Sequence, residues 1–174
     1  MRLKVCTKLI LLFISVVYCS VANAANIMGW LENIYIMPGK HKLIAKLDTG
    51  AKTSSIDAIN IRELIRNDEE WVVFTIPKTK YSSEITLEKK LVRTVLIKQR
   101  VEAKASKKAS RRMVVSLTIC LGGKTEEIEF SLSDRERFNY PMLLGRAAIE
   151  KLGGAIDPTI TFSQKLQCQT KANK

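Results

Sequence analysis

The sequence predicts an all-β domain, a small closed or partly closed barrel carrying one short helix near its C-terminal end. Three observations lead there. Short apolar runs punctuated by turn residues recur along the chain, an alternating hairpin brackets Gly122-Gly123, and helical spacing is clearest over Arg146 to Leu152.

The elements follow in order. Arg2, Lys4 and Lys8 make a basic start, Leu9 to Val17 is apolar apart from Ser15, and Ala22-Asn23-Ala24 places small residues where a signal peptidase reads. That order is a secretory signal peptide over residues 1–24. Its apolar run falls short of the roughly 20 residues that cross a bilayer. An exported protein is expected, periplasmic, attached to the cell envelope or secreted. Cleavage after Ala24 leaves residues 25–174 as one domain, enough chain for one core but not for two lobes.

Within that domain, Asn33 to Met37 is an apolar run closed by Pro38-Gly39, and Leu43 to Leu47 is a second that ends on Asp48-Thr49-Gly50. Ser55 to Ile61 alternates. Trp71 to Ile76 is aromatic and β-branched and stops at Pro77, and Leu91 to Val101 is a further strand candidate. Met113 to Leu121 alternates, Gly122-Gly123 supplies two residues free to take positive φ, and Lys124 to Leu132 returns. Pro141 to Gly145 is apolar, Arg146 to Leu152 is one short helix ended by Gly153-Gly154, and Ile156 to Phe162 is a last strand.

Charge and cysteines narrow the classes. The leader removes three of the 29 basic residues, leaving 26 against 17 acidic, a net charge of +9. The cations are densest from Lys98 to Arg112, where no aromatic is interleaved. Single-strand binding wants aromatic faces among its cations, so a solvated loop with weak attraction to anionic surfaces is expected, and no specific nucleic-acid site. Cys6 and Cys19 depart with the leader. Cys120 and Cys168 remain, either bridged in an oxidising compartment or with Cys120 as a buried thiol.

Most catalytic chemistries lack their residues. His41 is the single histidine, read as an exposed turn residue after Pro38-Gly39-Lys40. No zinc-ligand spacing and no phosphate-cradling loop occurs, so no metal and no cofactor are expected. Asp48-Thr49-Gly50-Ala51 stands apart, an aspartate at a strand end in a glycine turn. Two such carboxylates brought close would share one proton, one activating water and the other polarising a carbonyl. The chain holds one such turn, so a two-fold homodimer would be needed to pair Asp48 with its own copy.

Ala45-Lys46-Leu47-Asp48-Thr49-Gly50-Ala51-Lys52-Thr53-Ser54-Ser55 resembles the active-site segment of retropepsin-like aspartic peptidases, and Leu143-Leu144-Gly145-Arg146 resembles the strand and helix start that close that fold. Cys120-Leu121-Gly122-Gly123, Ser133-Asp134-Arg135 and Tyr140 to Arg146 resemble, more narrowly, the bacterial family that has carried the label "ATP-dependent zinc protease". The residues support neither zinc nor ATP. The resemblance implies a retropepsin-like barrel active as a two-fold homodimer and an exported aspartic endopeptidase acting on polypeptide. Asp48 would be catalytic, Thr49 would steady the paired turns, and Gly50 and Ala51 would border substrate backbone. Asp134, Gly145 and Arg146 would be structural, Asp134 and Arg146 forming an ion pair or cap. The alternative is a retropepsin-like binding or adaptor protein of the cell envelope, with Asp48 kept for architecture. Asp57 stands where relatives often show histidine and is expected to face solvent. The glycine-free stretch from Ile76 to Leu91 offers no flap, so Ala103 to Ser110 is the candidate cover.

Overall fold

A computed structural model describes residues 25–97, 110–165, 167 and 168. The expected leader, all of the Ala103 to Ser110 cover except Ser110, and most of the basic segment from Lys98 lie outside the described residues. Among the described residues, ten strands and one helix follow one another: β1 (Asn26–Ile36), β2 (His41–Asp48), β3 (Ser54–Asp57), β4 (Ile59–Arg66), β5 (Glu69–Ile76), β6 (Ile85–Ile97), β7 (Ser110–Leu121), β8 (Lys124–Ser133), β9 (Met142–Gly145), α1 (Arg146–Lys151) and β10 (Gly154–Thr161).

Six strands close a barrel in the order β1-β2-β9-β3-β8-β7, with β7 returning to β1 through Tyr35 opposite Cys120 and Ile36 opposite Ile119. Closure removes the open edges that a small sheet would expose. Alternation fills the barrel: Leu43, Ala45 and Leu47 of β2, Val115, Leu117, Ile119 and Leu121 of β7, and Ile128, Phe130 and Leu132 of β8 are buried together. Outside the barrel, β10 adds to β1 in parallel, while β6, β5 and β4 extend β7 as antiparallel neighbours.

The expected all-β barrel with one short helix is therefore the fold, and the hairpin about Gly122-Gly123 has the expected register. Two local readings need correction. Ser55 to Ile61 is two strands that part at Ala58, whose N–H donates to the Ser133 carbonyl at 3.1 Å. The β4 half continues to Arg66 and turns at Asn67-Asp68, both at positive φ, the geometry of a two-residue hairpin. Its run Ile59-Asn60-Ile61-Arg62-Glu63-Leu64-Ile65-Arg66 hides this, because an edge strand carries charge on positions a central strand would keep apolar. His41 opens β2 half-buried, with no partner for Nε2 among the described residues and burial lowering its pKa, rather than lying exposed in the turn.

The chain beyond β10 is stitched back to the barrel. Glu32 on β1 is fully buried. Its carboxylate accepts from the Gly29 N–H (2.7 Å), the Ser163 N–H (3.0 Å), the Ser163 hydroxyl (2.6 Å) and the Gln164 N–H (3.2 Å). Alternation turns Cys120 to the face opposite Ile119 and Leu121, and a disulfide joins it to Cys168. The choice between a bridge and a lone buried thiol falls to the bridge.

Candidate functional site

The site is set by a break in neighbourhood. β2 ends at Asp48 and the chain returns as β3, yet β9 lies between them, pairing in parallel with β2 and antiparallel with β3. The connecting turn must therefore arch over the end of β9. Asp48 faces Gly145 in the register, and its Oδ1 accepts from the Gly50 N–H at 2.9 Å while its carbonyl accepts from the Ala51 N–H at 3.2 Å. The side chain keeps 28% exposure, with Lys46 Nζ 3.6 Å from Oδ2.

β9 and α1 hold the turn from below. The Arg146 and Ala147 N–H groups donate to the Ala51 and Lys52 carbonyls at 2.9 and 3.2 Å, and the Gly145 N–H donates to Ser54 Oγ at 3.2 Å. Arg146 Nη1 then donates to the Thr49 and Gly50 carbonyls at 2.7 and 3.3 Å. Gly145 is required by space: an added Cβ would meet the Thr53 carbonyl oxygen at 2.6 Å and its carbon at 2.7 Å. Gly145→Ala is expected to push the turn off β9 and to lower stability by about 1–3 kcal/mol, the usual cost of overpacking. Denaturant unfolding checks this. An unchanged midpoint would mean the contact relaxes freely.

Asp48, Thr49, Gly50, Ala51, Gly145 and Arg146 thus come together at one end of the barrel. Asp134 does not join them. Its Oδ1 accepts from the Glu136 N–H at 2.9 Å, closing its own turn, and Arg146 serves the Asp48 turn instead of an Asp134 pair. Asp57 is also tied in rather than simply facing solvent, because its Oδ1 accepts from the Arg135 N–H at 2.8 Å.

Arg135 is the residue that sequence reasoning passed over. It is buried, with Nη1 donating to Ser55 Oγ at 2.8 Å and Nε to the Tyr140 carbonyl at 3.1 Å, beneath the exposed ring of Phe138 at 4.5 Å. Desolvation is the main cause that lowers its pKa, Arg112 adds to it, and Asp57 and Asp48 oppose it. The guanidinium therefore lies in the same electrostatic neighbourhood as Asp48. Among the described residues no cluster of three metal-ligating side chains exists. Thr53, Ser54, Ile128, Glu129, Ala147, Ala148 and Lys151 line a cavity of about 260 Å³.

Chemically, this is one half-exposed carboxylate with cations about it, and among the described residues no second carboxylate is hydrogen-bonded to it. Similar proteins sharpen the reading. A probable alpha-L-glutamate ligase of Shewanella pealeana is 38% identical over 120 residues, and that of Desulfotalea psychrophila 34% over 117. These stretches take in 68% and 67% of this chain but 25% and 24% of the relatives. The chain thus spans about a quarter of the length of the curated relatives it matches. The crystal structure of a protein with unknown function (DUF785) from Legionella pneumophila is 37% identical with a TM-score of 0.68, covering 82% of this chain and all of that one.

These relatives correct the functional expectation. They are named as ligases of glutamate, not as peptidases and not as "ATP-dependent zinc protease", so an exported aspartic endopeptidase working through paired Asp48 carboxylates does not stand as the activity of this chain. The peptidase wording that remains is the label of a fold family. That family, described as "RimB-like: Retropepsin-like aspartic endopeptidase RimB", matches residues 27–167, and with the barrel, the Asp48 turn and the Gly145-Arg146 closure in place the chain belongs to it.

Proposed function

We propose that this protein is a retropepsin-like module of glutamate-ligation chemistry that holds an acidic, glutamate-bearing peptide end against the Asp48 turn. The observation that carries the reading is the charge of that turn: Lys46 beside Asp48, Arg146 across its carbonyls, and Lys52 exposed on the same loop. In this reading Asp48 accepts hydrogen bonds from an incoming amine or amide N–H, and the cations receive the peptide's carboxylates, where charge-assisted bonds are strongest. The net positive charge of the domain draws such a ligand in.

The names of the relatives supply the chemical class, since forming a bond to glutamate requires a glutamate-bearing acceptor or product at hand. Ligation also requires an activated carboxylate. The machinery for activation is proposed to belong to the three quarters of the relatives that this chain does not match. The leader expected over residues 1–24 would add export to the proposal, and a bridged cysteine pair suits an oxidising compartment. Away from a nucleotide supply, holding the peptide is the task left to the domain.

Titration of the protein with a peptide ending in four glutamates, beside the same peptide ending in four glutamines, tests this. The glutamate peptide is expected to bind about tenfold more tightly at 50 mM salt, with the advantage collapsing near 0.5 M as screening shortens to a few ångströms. Lys52→Ala should remove part of the advantage without disturbing the turn's own hydrogen bonds. The mass of the recovered peptide reads any change in its glutamate count. Equal binding of the two peptides would overturn the proposal.

A further inference from the structure

Two features of the C-terminal tail meet at one place. Glu32 gathers Ser163 and Gln164, and four residues on Cys168 is bonded to Cys120. Gln164 adds a second hold, its Nε2 donating to the Ile27 carbonyl at 2.7 Å and its Oε1 accepting from Asn26 Nδ2 at 3.0 Å. The tail then passes the Gly122-Gly123 turn, where Gln164 Oε1 and the Gln167 carbonyl would lie 2.5 and 3.3 Å from added Cβ atoms. Cys120 is at 0% exposure and Cys168 at 7%.

We infer that the tail is a clasp that Glu32 seats first and the Cys120–Cys168 bond seals afterwards, with a small disulfide oxidant of the glutathione class as co-reactant. Burial sets the order of events. The Cys168 thiolate, on the tail, attacks the oxidant and forms a mixed disulfide, releasing one small thiol. The Cys120 thiolate then attacks Cys168 Sγ, the mixed disulfide breaks, and the second small thiol leaves. Both protein thiols have lost their protons and two electrons in total, and the oxidant has become two thiols. The second step needs Cys168 held at Cys120. The buried Glu32 carboxylate does this by raising the effective concentration of one sulfur at the other. Once sealed, both sulfurs are shielded, so reduction by the same couple is slow in the folded protein.

The test uses the full chain carrying Cys6→Ser and Cys19→Ser, reduced, then mixed with glutathione disulfide. Mass spectrometry follows both the loss of two hydrogens and the glutathione adduct. In the parent, closure is expected without a lasting adduct. Glu32→Gln should slow closure about tenfold, the factor of a lost charge-assisted hydrogen bond, and let the Cys168 adduct accumulate. Ser163→Ala removes the hydroxyl that donates to Glu32 and accepts from the Gly29 N–H, while the Ser163 and Gly29 N–H groups keep their bonds to Glu32, and it should slow closure in the same direction by about threefold. It decides the matter where Glu32→Gln fails to fold. Closure at the parent rate in a folded Glu32→Gln or, failing that, in Ser163→Ala would overturn the inference, as would an adduct that appears first on Cys120.

Discussion

Arg135→Ala is expected to be the most destabilising single change near the Asp48 turn, lowering stability by about 3–5 kcal/mol, the summed cost of leaving two buried polar groups without their donor. Three groups lose their donor or cover at once: Ser55 Oγ, the Tyr140 carbonyl and the ring of Phe138. For a domain of this size that is a fall in Tm of roughly 10 °C. Arg135→Lys should recover only a fraction of it, because an ammonium cannot fork across Ser55 and Tyr140 with fixed geometry. Thermal unfolding followed by circular dichroism measures both. A loss below about 1 kcal/mol for the alanine variant would show that the network is solvated in practice and does not brace the loop.

Opening the Cys120–Cys168 bridge comes next in size. The residues are 48 apart in sequence, and freeing a loop of that length restores about 4 kcal/mol of chain entropy to the unfolded state. Cys168→Ser is expected to lower Tm by roughly 8–16 °C, and treatment of the parent with a strong reductant under denaturing and refolding conditions should match it. Coincident melting of oxidised and reduced parent would mean that Glu32 alone holds the tail.

Much of this architecture could be read from residue order. Alternation over Met113 to Leu132 about two glycines fixes a hairpin, because period two with a positive-φ turn suits little else. Asp48 and Gly145-Arg146 were legible as a pair of distant segments, and the parallel β2–β9 ladder is what joins them. Other features were hidden for physical reasons. Nothing in Ser133-Asp134-Arg135 marks which of its charges turns inward. Asp134 is the exposed one, whereas Arg135 is buried. The β4 strand was hidden by its edge position, which suits Arg62, Glu63 and Arg66 to solvent. Glu32 was invisible because its partners Ser163 and Gln164 lie about 130 residues away, and a lone glutamate in an apolar run reads as an exposed position. The activity was the least legible of all, since a turn motif reports a fold's architecture more directly than its chemistry.

The start of α1 holds a consequence for how any acidic ligand must be met. Helix beginnings ordinarily leave unmatched amide donors whose partial positive charge attracts anions. Here the Arg146 and Ala147 amides are already occupied by the Ala51 and Lys52 carbonyls. Under the proposed function, a carboxylate arriving at the Asp48 turn would therefore find those two amides already taken. It would meet the Lys46 and Lys52 stems instead, while the Arg146 guanidinium stays held by the Thr49 and Gly50 carbonyls. Recognition built that way would be loose in register and tolerant of how many acidic residues a tail carries. It would count charge rather than read position.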